Sequence, residues 1–471
     1  MITIGILSDD VLLEIFDRCR ISDDSYDRSP FLVWKWHSLV HVCRRWRHII
    51  FASPRRLDLQ LRCKTGMPCR KIMGIWPTIP IIVDYCNFIG TSVEDEIVAA
   101  LEHPDRVTRI NFFLNISELD DIAALMQEPF PVLTHLTVIS KFGNVLVLPD
   151  GFLGGSAPSL QQLFLCGVQY PALPMLLLSA SGLVNLRLRF IPSGNISLEA
   201  IVSSMAASNK LKTLDIHFGP RSSFPGIINS PPMTRTVLPA LCDFTFSGEC
   251  KYLEDFVSRI DAPQLDTISV IYQHRDITIN FDVTQFSKFI NRSENLKRSL
   301  SRHCRIKGDL YMVVLCVGGT ASERWNPNPG ISVSLVTRIE DQILRFTNIL
   351  GFMSPILSDI VHWTINSVYF ESGSGRDDLD WLQLFRQLSS VQTLFVFHNI
   401  AGLISRALAY VDVSTVTETL PALQLLCIEE MEEGEDTSSV HKFLAIRRDS
   451  GHPVTFVKTK EEFEERLESY P

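Results

Sequence analysis

Leu160-Gln161-Gln162-Leu163-Phe164-Leu165, Leu183-Val184-Asn185-Leu186-Arg187-Leu188 and Leu211-Lys212-Thr213-Leu214-Asp215-Ile216 are versions of one pattern, apolar at the first, fourth and sixth positions. The last two apolar residues alternate as a strand with one buried face requires, and the first enters from the preceding turn. The pattern recurs at Val107-x-x-Ile110-x-Phe112, Leu133-x-x-Leu136-x-Val138, Leu241-x-x-Phe244-x-Phe246 and Leu265-x-x-Ile268-x-Val270. It returns at Val391-x-x-Leu394-x-Val396 and Leu423-x-x-Leu426-x-Ile428. Successive copies in the continuous part lie about 23 to 30 residues apart. A unit of that length buries its apolar face only against its neighbours, so the copies must stack.

Between the strands the sequence predicts helices over 119–126, 197–207, 253–260, 379–387 and 404–410. Strand alternating with helix at this period gives an α/β solenoid, a curved and mostly parallel sheet with helices on its convex side. The period resembles that of leucine-rich repeats, although the asparagine position of an orderly repeat is mostly missing. Between 280 and 373 the pattern fades, with strands expected over 310–317, 331–336 and 362–370 and a helix over 343–352. The proline-bearing stretches 218–236 and 321–330 read as loops of the kind that map to one rim of a solenoid. From about residue 429 an acidic turn, a helix over 440–448, a strand over 453–458 and a charged helix over 460–467 form the polar end unit a solenoid needs. Upstream, a strand over 56–61, a short helix over 71–76 and a strand over 79–85 lead into the repeats.

The first 54 residues have a different character. Ser8 is placed to cap a helix whose first turn holds Asp9 and Asp10, at the positive end of the helix dipole. Val11, Leu12, Ile15, Phe16 and Cys19 form its apolar stripe. A second helix is predicted over 36–50, with Leu39, Val42, Cys43 and Trp46 at i, i+3, i+4 and i+7 and His37, His41, Arg44, Arg45 and His48 opposite. Pro54 stops it. So small a unit cannot hide both stripes, which points to a partner helix in the groove between them.

Leu7 to Phe16 resembles the opening helix of an F-box, and Val42-Cys43-Arg44-Arg45-Trp46 resembles its most recognisable signature. The run from Trp36 to Leu59, and Trp76-Pro77-x-x-Pro80-Ile81 after it, are similar to a large group of fungal F-box proteins. Two departures stand out: Ser8 replaces the usual proline, and an acidic insertion, 21–28, lengthens the gap between the helices. The expected organisation is a helical F-box over 1–54, a linking region over 55–105, and an irregular leucine-rich-repeat-like solenoid over 106–471.

Composition bounds the alternatives. The chain has 471 residues, 46% hydrophobic and 21% charged, with a net charge of −9 that argues against a general nucleic-acid binder. A local basic block runs through Arg44, Arg45, Arg47, Arg55, Arg56, Arg62, Lys64, Arg70 and Lys71. The 11 cysteines include no C-x-x-C pair; Cys63 and Cys69 are the nearest couple, and buried reduced thiols of a cytoplasmic or nuclear protein are expected. No signal peptide and no membrane-length apolar run is evident. There is no G-x-S-x-G, P-loop, post-strand G-x-G-x-x-G or H-E-x-x-H motif, so no catalytic residue is expected. His37 and His41 lie at i, i+4, but among cations and without a carboxylate, so neither a metal nor a cofactor is expected.

The F-box resemblance implies the substrate-receptor subunit of an SCF-type, cullin-based ubiquitin ligase. Its helices would dock on the Skp adaptor, and through it the cullin, by way of Leu7, Val11, Leu12, Ile15, Phe16, Leu39, Val42, Cys43, Trp46 and Ile50. The repeats would hold a target protein. Candidates for that contact are strand residues interleaved between the inward ones: Arg187, Arg189, Asp215, His217 and Thr245. Two other readings remain, an F-box scaffold without a ligase role and a solenoid that binds a ligand or nucleic acid through the basic block.

Overall fold

Alternation of buried and solvent-facing residues builds the strands where the apolar pattern places them. The computed structural model describes residues 6–18, 39–53, 59–66, 68–75, 78–86, 95–141, 145–191, 198–219, 234–273, 283–299, 303–308, 312–318, 330–336, 360–367, 376–429 and 438–467, with scattered positions between 347 and 358. It divides into two compact units, residues 1–144 with 151–159, and 145–150 with 160–471.

The first unit opens with helices Asp9–Arg18 and Arg44–Ala52. Four strands follow: β1 (Leu61–Lys64), β2 (Ile81–Cys86), β3 (Val107–Leu114) and β4 (His135–Ser140). They pair in parallel in that order, with Leu61 opposite Ile81, Val83 opposite Ile110, and Ile110 opposite Leu136. Helices Cys69–Ile75, Asp95–Leu101 and Ile116–Leu125 lie between the strands in sequence. The expected linking region is therefore built of strand-and-helix units like the repeats. The strand expected over 56–61 begins only at Leu61, where pairing with Ile81 becomes available. Residues 54–58 lie outside the described residues.

The second unit carries β5 (Gln162–Cys166), β6 (Asn185–Ile191), β7 (Thr213–Phe218), β8 (Asp243–Gly248) and β9 (Thr267–Gln273). It continues with β10 (His303–Gly308), β11 (Met312–Val317), β12 (Gly330–Val336), β13 (His362–Ser367), β14 (Thr393–Val396), β15 (Leu425–Ile428) and β16 (Thr455–Val457). Strands β5 to β9 pair in parallel in sequence order, as do β13 to β16. Between these runs the order reverses. β12 lies parallel beside β9, β11 antiparallel beside β12, and β10 antiparallel beside β11 and parallel beside β13. This is why the motif fades there. Three residues separate β10 from β11, enough for a hairpin but not for a parallel crossover, so no leading apolar residue has to enter from a stacked turn.

The inward residues are those the pattern names. Leu163, Leu186, Leu214, Phe244 and Ile268 are buried, and so are the leading Leu160, Leu183, Leu211, Leu241 and Leu265. Phe244 stacks on Phe256 at 5.5 Å and meets Phe289 edge-on at 6.2 Å, so helices Cys250–Ser258 and Thr284–Arg292 cover this face of the sheet. The predicted helices are present, Leu198–Ser204, Arg376–Gln387, His398–Ala409 and Ser438–Asp449 with shifted ends and Lys460–Leu467 with the expected ones. Most of the helix expected over 343–352, the acidic turn after 429, and the interiors of both proline-bearing loops lie outside the described residues. The last helix does more than cap the end. Its Phe463 packs on Phe395, Leu425, Cys427 and Val457, on the sheet face opposite the repeat core. No helix among the described residues is long and apolar enough to cross a membrane.

Candidate functional site

Two surfaces carry the residues singled out by sequence, one in each unit. The first is the N-terminal helix pair. Ser8 caps the opening helix as expected, its hydroxyl accepting a hydrogen bond from the Val11 amide at 3.4 Å. The second helix is interrupted where the apolar spacing predicts it to be continuous, with 39–40 helical ahead of a turn. Cys43 takes an extended conformation and its Sγ accepts from the Trp46 amide at 3.4 Å, so the regular helix is Arg44–Ala52 and 41–42 form a turn. Leu39 and Val42 therefore do not share one continuous helical stripe with Trp46. The thiol supplies an N-cap that helical spacing alone does not reveal.

Burial sorts the ten candidate adaptor residues. Leu12, Phe16 and Ile50 are buried, and the Phe16 and Trp46 rings meet edge-on at 4.8 Å, holding the helices to each other. Leu7, Leu39 and Trp46 are half-buried, whereas Val11 (44%), Ile15 (37%), Val42 (57%) and Cys43 are exposed. Ile6, which sequence reasoning passed over, is 72% exposed just ahead of them. The pair is latched by Arg45, whose guanidinium donates to Asp9 at 2.6 Å and to the Leu7 carbonyl at 2.6 Å. Arg47 donates to the Val40 carbonyl at 2.9 Å and Arg62 pairs with Asp84 at 3.1 Å. These members of the basic block have internal roles. Cys63 and Cys69 are brought together but both are buried, and the neighbouring Cys69 thiol together with burial pushes the Cys63 thiol up, which makes it a poor nucleophile.

The second surface is the face of β5–β9 turned away from the repeat helices. Register places Phe164, Arg187, Asp215, Thr245 and Ser269 in one row across five strands, with Cys166 and Arg189 in the next row of β5 and β6. His217 and Ser247 occupy that next row on β7 and β8. All five candidate target-binding residues thus share one neighbourhood, as alternation demands.

They are not equally available. Asp215 is 4% exposed: Arg189 donates to Oδ2 at 2.6 and 3.0 Å, and His217 Nε2 lies 2.8 Å from Oδ1. Burial pushes the Asp215 carboxyl up, but His217 and Arg189 outweigh it and hold the group below the usual carboxylate range. Arg189 also lies over the Phe164 ring, 5.8 Å from its centroid. Beyond Arg189 the strand bulges. Phe190 has a φ of 51°, the register with β7 shifts between Leu188 and Ile191, and its ring is 54% exposed. A bulge of this kind re-aims a side chain, and nothing in the repeat pattern foretells it. Ser247, which accepts a hydrogen bond from Gln273 at 2.7 Å, was also missed, although the alternation that singles out Thr245 applies to it equally.

No protein-family model matches the chain, and no curated protein matches it. Among solved structures it is similar to the leucine-rich repeat-containing protein LegL7 from Legionella pneumophila, at 12% sequence identity and a TM-score of 0.27, over 83% of this chain and 97% of that one. A likeness at that level decides neither fold nor function. The repeat architecture stands on the strand register of this chain.

Proposed function

We propose that this chain is a protein-binding subunit that works by proximity, the F-box substrate receptor of an SCF-type, cullin-based ubiquitin ligase. The observation that carries the reading is the exposure of Val11 and Ile15 on the opening helix and of Val42 in the turn ahead of the second, beside helices held together by Phe16 against Trp46 and by the buried Leu12 and Ile50. Such a surface on so small an element is a docking site for a partner helix, and the F-box resemblance of the same residues makes that partner the Skp adaptor. The sheet face of β5–β9 holds the target, and the chain makes and breaks no bond itself. It raises the concentration of the target near a charged conjugating enzyme.

The test is a pull-down of purified Skp adaptor by the full chain and by a Val11→Ser, Val42→Ser double variant. Both positions are exposed, so the fold, checked by circular dichroism, should survive; Leu12 is a poor choice because it is buried. Loss of central apolar anchors at ~2 kcal/mol should weaken binding roughly thirtyfold. Retention of the adaptor by the variant, or no capture by the wild type, would overturn the adaptor contact. Ubiquitin transfer to a bound target then separates a ligase receptor from a scaffold.

A further inference from the structure

Resting on the reading of the β5–β9 face as the target-binding surface, we propose that it recognises a peptide segment of the target bearing a single carboxylate beside an apolar residue, with Arg187 as the anchor. Arg187 stands opposite Asp215 in the strand register, yet it forms no hydrogen bond, ion pair or ring contact among the described residues. On the same face Arg189 holds Oδ2 of Asp215 at 2.6 Å, and the His217 ring nitrogen stands 2.8 Å from Oδ1. A half-buried guanidinium is left with its planar fork of donors unused among the described residues, the geometry that pairs with a carboxylate through two parallel hydrogen bonds.

The surroundings choose among anions. The exposed Asp243 lies on this same face of β8, and with a chain charge of −9 it opposes a polyanion such as nucleic acid. A phosphorylated side chain carries nearly two charges and is bound by clusters of arginine, whereas a single arginine without a partner among the described residues matches one carboxylate. Thr245 and Ser269 continue the row with hydroxyls that can meet the peptide backbone. The exposed Phe190, displaced by the bulge two strand positions beyond Leu188, supplies the apolar contact next to the charged one.

The experiment is selection from a randomised peptide library, including phosphoserine as a building block, on the immobilised full chain, with an oligonucleotide of mixed sequence as a parallel probe. Wild type should enrich Asp or Glu at one position by about tenfold over Asn or Gln, the scale of a charge-assisted hydrogen bond. Arg187→Gln should abolish that enrichment, and Arg187→Glu should invert it towards Lys and Arg, with circular dichroism showing both folded. Acidic enrichment that survives Arg187→Gln, a preference for phosphoserine, or selection of the oligonucleotide over every peptide would each overturn the proposal. Failure is separable from failure of the parent reading. Enrichment of peptides with no acidic preference refutes only the carboxylate anchor, whereas no peptide enrichment at all removes the target-binding face as well. The adaptor pull-down is scored on the other unit and is indifferent to either outcome.

Discussion

Replacing Lys141 by methionine should destabilise the first unit severely while touching neither binding surface. Lys141 follows β4 directly, and its ammonium lies 3.0 Å from Glu118 Oε2, with both side chains buried. Glu118 is the third residue of helix Ile116–Leu125. Its carboxylate also accepts from the Asn115 amide at 2.9 Å and from the Tyr85 hydroxyl at 2.9 Å, while the Asn115 side chain accepts from the Glu118 amide at 3.0 Å. One carboxylate therefore closes the helix N-terminus and ties it to β2 and to the end of β4. Removing the cation leaves a buried anion with hydrogen bonds but no counter-charge, which costs ~3–5 kcal/mol. At ~1–3 kcal/mol per molar of urea, the midpoint of the affected transition should fall by roughly 1 M or more. Removing both charges together, as Glu118→Gln with Lys141→Met, should return most of the loss, because the desolvation cost of the ions disappears with them. Equilibrium urea unfolding followed by far-ultraviolet circular dichroism measures all the variants. A Lys141→Met loss under ~1 kcal/mol, or a double variant as unstable as the two single losses added together, would refute the account of the site as a buried pair.

Arg447→Met should lower the thermal midpoint, at a cost of ~2–4 kcal/mol. The buried guanidinium donates to the carbonyls of Val416, Pro421 and Leu423, and their loss leaves three acceptors without that donor. Acidification should cost stability through His135, which burial and then the nearby Arg109 hold down at about 4. The folded pKa lies below the unfolded value of about 6.5, so this contribution is complete above about pH 6.5 and is lost as the pH falls through about 4. His135→Gln should flatten that part of the urea-midpoint curve against pH, and an unchanged slope would remove the histidine from the explanation.

The repeat strands were legible because their information is local. Leu186 and Leu188 alternate on one strand and Leu183 lies three residues ahead, so a few neighbouring letters state which face is buried. The same alternation puts Arg187, Arg189, Asp215, His217 and Thr245 on the opposite face, but it does not tell that Asp215 is buried there. The N-terminal helix pair was legible as two amphipathic segments but not in detail. Val11 and Leu12 are adjacent and both apolar, yet one is exposed and the other fully buried. Only the packing of Phe16 on Trp46 decides which side of a wide stripe faces inward. Helix Asp95–Leu101 went unread because it is short, and its burial comes from tertiary packing rather than from a long apolar period.

By itself the sequence determined the class of fold: a strand motif repeated at solenoid spacing, helices between the copies, and a distinct helical segment ahead of them. Tertiary structure decided what depends on long-range partners. It set the reversed strand order between β9 and β13, where β10 and β11 answer to each other and not to the repeat. It turned the charged end helix onto the sheet face through Phe463. It also set Asp215 against Arg189 and His217, with Arg187 left without a partner among the described residues. The physical reason is the same in each case. Apolar periodicity is a property of a few consecutive residues, whereas strand order and the pairing of charges are settled by groups roughly 30 residues apart that meet only when the sheet forms.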